Sequence, residues 1–223
     1  MLEEKTFIEL KNKNRLSIPE KFQNFDDRYS EEFVEYFINK YTKENDIIFD
    51  PFSGLGTSIF IAEEMNRIPY GLEKINERVE YIKSKLKNKN KNNIINGNSL
   101  ELSKYNLPNF DFCISSPPYT KKFDSVDPLN SFKESKNYYK EYLKNIFNVY
   151  SQIKNVMKKE SYVIVESSNI KGKNEGEETT TLAWDVAKEI SKIFFFEGEI
   201  IICFKDEFGY GYNHSYALVF KNK

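Results

Sequence analysis

Short apolar runs of strand length alternate with longer stretches of helical spacing along most of this chain. The runs are DIIFD (46–50), IPYGLE (68–73), NIIN (93–96), FDFCIS (110–115) and YVIVE (162–166). Residues 57–66, 76–87, 138–158 and 181–193 repeat apolar side chains at helical intervals instead, as with Val79, Ile82 and Leu86. Alternation of this kind predicts an α/β architecture: a doubly wound, mainly parallel sheet with helices on both faces. Two further strands, 199–204 and 215–220, are separated only by the short stretch 207–213 and predict a C-terminal antiparallel hairpin, giving seven strands in all. A helix over 30–41 is expected to lie across the strand ends. With 223 residues and no evident linker, 1–223 reads as one domain.

Bulk properties remove several function classes. Lysine and arginine number 33 against 34 acidic residues, so a nucleic-acid partner would need a local basic face rather than overall charge. The Lys/Asn-rich stretch 83–93 reads as a solvated helix end, with a DNA-backbone contact as the second reading. No apolar run approaches the roughly 18 residues of a membrane span, and the first residues lack a signal-peptide pattern, which predicts a cytoplasmic protein without a membrane. Cys113 and Cys203 sit inside strand-like runs and His214 is the only histidine. With no zinc-type spacing and a single histidine, metal catalysis and Ser-His or Cys-His hydrolysis are not expected.

The chemistry-bearing residues fall at successive strand ends, where open α/β sheets bind ligands. Asp50-Pro51-Phe52-Ser53-Gly54-Leu55-Gly56-Thr57 follows the first run. Its glycines allow a tight turn and close approach of a ligand, and it lacks the lysine of a polyphosphate-binding loop. Glu73 ends the second run about 20 residues later, where such folds place a carboxylate on a ribose. Gly97-Asn98-Ser99 follows the third. Ser116-Pro117-Pro118-Tyr119 follows the fourth, and its two prolines end the strand in a stiff, extended turn. A fixed carbonyl, a hydroxyl and an aromatic face together suit a flat, amine-bearing ring such as a nucleic-acid base.

With these motifs in this order, the chain resembles the S-adenosylmethionine-dependent amino-methyltransferases, which methylate exocyclic nitrogens of DNA bases. The 50–57 loop is similar to that family's cofactor motif. SPPY at 116–119 matches its catalytic motif of Asp, Asn or Ser, then Pro-Pro, then an aromatic residue. Asp27-Arg28-Tyr29 and the helix after them look like its cofactor-capping segment, here 1–45. The resemblance implies a Rossmann-like fold and S-adenosylmethionine as cofactor, held by Tyr29, Asp50, Pro51, Phe52, Gly54, Gly56, Thr57, Glu73, Asn98 and Ser99. The family often has an aspartate at position 98; Asn98 can still accept from an adenine amine. Ser116, Pro117, Pro118 and Tyr119 are the implied catalytic residues. They would act on a base flipped out of double-stranded DNA, with Lys121, Lys122 and Phe123 touching the substrate.

Relatives commonly carry a sizeable target-recognition region, whereas 120–137 is short. Site choice then rests on that loop, or on a cognate restriction endonuclease or specificity partner. The serine form of the motif favours N4-cytosine over N6-adenine. An RNA base N-methyltransferase and a silent, methyltransferase-fold binding subunit are further alternatives. C5-cytosine chemistry needs an exposed thiolate, which neither cysteine offers.

Overall fold

The computed structural model describes residues 5–11, 15–23, 28–130, 137–172, 176–205 and 210–223. Its strands are β1 (Phe7–Leu10), β2 (Ile47–Asp50), β3 (Ile68–Glu73), β4 (Ile94–Asn96), β5 (Phe110–Ser115), β6 (Met157–Ser167), β7 (Phe195–Phe204) and β8 (His214–Lys221). Its helices are α1 (Glu20–Gln23), α2 (Glu31–Tyr41), α3 (Thr57–Glu64), α4 (Asn76–Lys85), α5 (Tyr138–Val156) and α6 (Leu182–Ile190). All eight strands form one sheet in the order β1-β7-β8-β6-β5-β2-β3-β4. Every pairing is parallel except those of β8, which runs antiparallel to both β6 and β7. No described helix is long and apolar enough to cross a membrane.

The sheet is doubly wound as expected but has eight strands rather than seven. The added strand, β1, pairs in parallel with β7, Phe7 beside Ile201 and Leu10 beside Phe204. Its alternating burial, with Ile8 and Leu10 inward and Phe7 and Glu9 outward, is that of a half-covered strand.

Helix α2 also departs from expectation. It packs on a sheet face rather than across the strand ends. Phe33, Val34, Phe37 and Ile38 form one buried stripe against Ile48, Phe112, Ile164 and Ala217. Burying each such side chain is worth about 1.5–3 kcal/mol, so this face fixes the helix. Glu31 at its start accepts from the Arg15 guanidinium at 2.9 Å and from the Leu16 amide at 2.8 Å, tying the N-terminal segment down. The opposite face is covered by α5 and α6, through Tyr142, Ile146, Val149, Ile153, Val186 and Ile190. Asn137 caps α5 by accepting from the Lys140 amide at 2.9 Å.

The Lys/Asn-rich stretch lands away from the strand ends' carboxyl rim. It forms the end of α4 and a 3-10 turn, Asn88–Asn93, leading into the amino end of β4. It therefore lies on the rim opposite the ligand-binding end, which disfavours contact with DNA engaged there. Cys113 is buried in β5, whereas Cys203 in β7 is only half-buried.

Candidate functional site

The connectivity places the site. From β2 the chain winds outward to β3 and β4, then returns to add β5 and β6 on the other side. The reversal lies between β2 and β5, which pair directly, Phe49 beside Cys113. That switch point brings the 50–57 loop and the 116–119 turn to neighbouring strand ends. A cleft of about 550 Å³ opens there. This size is within the range of about 300–1,000 Å³ usual for cofactor and small-ligand sites.

Asp50 organises the first side of the cleft from below. It is almost fully buried and does not line the cleft. Its Oδ1 accepts from the Phe52 amide at 2.8 Å; its Oδ2 accepts from the Tyr29 hydroxyl at 3.0 Å and from the Ser58 hydroxyl. Burial pushes this carboxyl up to about 6, while the hydrogen bonds from Ser58, Phe52 and Tyr29 oppose the shift. Glu73 accepts from the amides of Gly54 at 3.0 Å and Ile75 at 2.7 Å, so the ends of β2 and β3 are tied through one carboxylate. Burial raises its pKa as well.

Gly54 has φ +52° and borders the cleft, and a β-carbon there would meet only the Phe52 carbonyl, at 3.9 Å. Gly56, φ +87°, differs: it does not line the cleft, and its β-carbon would come within 2.8 Å of the Ile82 side chain. It serves packing between α3 and α4, not ligand contact. Thr57 Oγ1 is buried at the cleft wall with no hydrogen-bond partner among the described residues. Pro51, whose carbonyl accepts from Ser99, lines the cleft with Phe52 and Ser99. Asn98 lines it too, but its amide oxygen caps the following 3-10 turn by accepting from the Leu100 amide at 3.0 Å. An acceptor role towards an adenine amine then falls to that oxygen's second lone pair.

The second side is built on a residue that sequence reading missed. Glu166 sits near the end of β6, and the parallel register of Ser115 beside Val165 sets Ser116 next to it. Its Oε2 accepts from the Ser116 hydroxyl and from the Tyr119 hydroxyl, both at 2.8 Å. Glu166 is buried, and desolvation raises its pKa against the pull of these bonds. Because Ser116 donates its proton to Glu166, its lone pairs remain for accepting. Pro117 and Pro118 complete this wall. The Tyr210 ring, also missed, packs against Tyr119 with centroids 4.7 Å apart and a 44° tilt. A carboxylate closing the apolar run YVIVE was the one sequence sign of Glu166.

The remaining sequence candidates divide. Lys121 lines the cleft, with its ammonium 3.4 Å from Glu177. Lys122 and Phe123 are not on its wall; Phe123 points to solvent. Asp27 and residues 131–136 of the short loop lie outside the described residues.

Parts of the chain are similar to known proteins. Residues 5–84 match a DNA methylase family, the N6/N4 methyltransferases. A segment of 53 residues is 40% identical to the type II methyltransferase M.BglII of Bacillus subtilis, spanning 24% of this chain and 15% of that protein. Among solved structures, TrmN from Thermus thermophilus superposes with a TM-score of 0.61 at 10% identity, covering 86% of this chain and 48% of its own. A TehB-like SAM-dependent methyltransferase from Corynebacterium glutamicum gives 0.55 at 11% identity, covering 91% and 93%. The chain thus spans about half of TrmN and a small part of M.BglII, and the structural likenesses speak for the fold alone. Residues 5–84 are thus similar to the N6/N4 DNA methylases, and the chain as a whole shares its fold with these solved structures.

Proposed function

We propose that the protein transfers a methyl group from S-adenosylmethionine to the exocyclic N4 of a cytosine flipped out of double-stranded DNA. The observation that carries this reading is the Ser116–Glu166–Tyr119 arrangement opening onto the same cleft as the 50–57 loop and Glu73.

The first side fits the cofactor. The open space at Gly54 lets a ligand lie against the backbone. The unpartnered Thr57 hydroxyl at the start of α3 suits the cofactor's carboxylate. Glu73, held by two amides, keeps lone pairs for ribose hydroxyls, and Asn98 and Ser99 edge the adenine. Tyr29, resting on Asp50, closes that side from the N-terminal segment. The cofactor supplies an electrophilic methyl on a sulfonium.

The second side orients the acceptor. Tyr119 offers its ring to the flipped base. The Pro117 carbonyl and the Ser116 hydroxyl accept from its amine, which favours the change of that nitrogen from planar to tetrahedral as it attacks. Methylation leaves the nitrogen one proton in excess. Ser116 takes that proton as its own passes to Glu166 Oε2, so the positive charge is relieved within the site. The serine at position 116 is what favours cytosine over adenine.

Replacing Tyr119 with alanine tests this division of labour. Base stacking on an aromatic ring is worth about 1–3 kcal/mol, so methyl transfer to unmodified DNA should fall about 5- to 150-fold. S-adenosylmethionine affinity, read by titration calorimetry, should change by less than about twofold, since Tyr119 is on the far wall. Equal loss of both would remove Tyr119 from the base-binding role.

A further inference from the structure

Phe123 is 68% exposed, the most exposed large apolar side chain among the described residues. It sits at the tip of a tight turn, Lys121–Asp124, closed by the Asp124 amide donating to the Lys121 carbonyl at 3.1 Å. Three further bonds brace this turn. The Lys121 amide and the Thr120 hydroxyl donate to Asp124 Oδ2 at 2.7 and 3.2 Å, and the Lys122 amide donates to Thr180 Oγ1 at 3.1 Å. A braced tip holds its ring out at little further entropic cost. The turn follows Tyr119 directly, and Thr120, Lys121 and Asp124 all border the cleft. Four residues of chain reach at most about 14 Å, so Phe123 stays close to any base gripped at Tyr119.

We propose that Phe123 is a wedge that enters the duplex where the target base leaves the stack. This rests on the DNA-methylating function above. A base cannot reach Tyr119 without leaving a gap between its neighbours, and an apolar ring filling that gap recovers part of the lost stacking. Lys122, the other central residue of the turn, brings an ammonium to the flanking phosphates. The ring then serves duplex opening and not methyl transfer itself. Its loss is felt only when the base must be extracted from a paired stack.

The test uses labelled S-adenosylmethionine with one unmodified, linearised plasmid, supplied either native or heat-denatured and quench-cooled. In Phe123→Ala, the ratio of label entering native DNA to label entering denatured DNA should fall by about tenfold or more relative to the wild type. In Phe123→Trp, which keeps a stacking ring, the ratio should stay within about threefold of the wild type. Thermal melting should show both variants folded, since the ring is exposed. An equal loss on both DNA forms, or an unchanged ratio in Phe123→Ala, overturns the wedge. So does a wild type that labels only denatured DNA. A wild type that labels neither form overturns the DNA-methylating function itself, and the wedge with it.

Discussion

Glu166→Gln should lower the rate of methyl transfer by about 10²–10³-fold while leaving S-adenosylmethionine affinity nearly unchanged, as expected for losing a positioned proton acceptor. Glutamine keeps an oxygen for the Ser116 and Tyr119 hydroxyls, so the hydrogen-bonded geometry of the wall can persist. What disappears is the negative charge. The pH dependence separates the two contributions. Glu166 accepts a proton only when ionised, and its burial raises its pKa above the ordinary carboxylate range. Wild-type transfer should therefore rise as pH climbs through that raised pKa. The acidic limb should vanish in Glu166→Gln. A variant with the wild-type rate and the wild-type limb would reduce Glu166 to a structural anchor for the 116–119 turn.

The second large effect is expected at Gly54. Gly54→Val should weaken S-adenosylmethionine binding by about 100-fold or more while the protein stays folded, because the new side chain enters open cleft space and not packed protein. The left-handed backbone there adds a strain of about 1–2 kcal/mol. Gly56→Val supplies the contrast. Its side chain would collide with Ile82 and Phe60, so the cost falls on stability, by about 1–3 kcal/mol or more before the backbone strain. Calorimetric titration together with thermal melting distinguishes the two: lost binding with modest loss of stability at Gly54, lost stability at Gly56. Unchanged affinity in Gly54→Val would move the cofactor off this loop.

The strand ends were legible because glycine and proline punctuate them. Gly54 and Gly56 after β2, and Pro117-Pro118 after β5, mark where the backbone leaves the sheet, and parallel strands bring such ends to one rim. Glu166 carries no glycine or proline mark, only its place as a carboxylate at the end of an apolar run. It lies 50 residues from Ser116 and meets it only through the register of β6 on β5, which no periodicity reveals. Strand β1 was hidden for the same reason. Its partner β7 lies near the other end of the chain, and four residues are too few to show a period. The same logic separates Gly54 from Gly56: both read as cofactor glycines, and only the neighbouring helix α4 shows that Gly56 faces Ile82. Asp50 likewise reads as a ligand contact, whereas its hydrogen bonds to Tyr29, Phe52 and Ser58 make it the support beneath the loop.

In the proposed function one cleft carries a methyl group from S-adenosylmethionine to the amine of a DNA base. Incubating the protein with methyl-labelled S-adenosylmethionine and unmodified DNA, with an RNA control beside it, and digesting the products to nucleosides tests this directly. Label is expected in N4-methylcytosine. Label in N6-methyladenine would overturn the role given to Ser116 while keeping the cleft, and label confined to RNA, or in no nucleoside, would rule out methyl transfer to DNA bases.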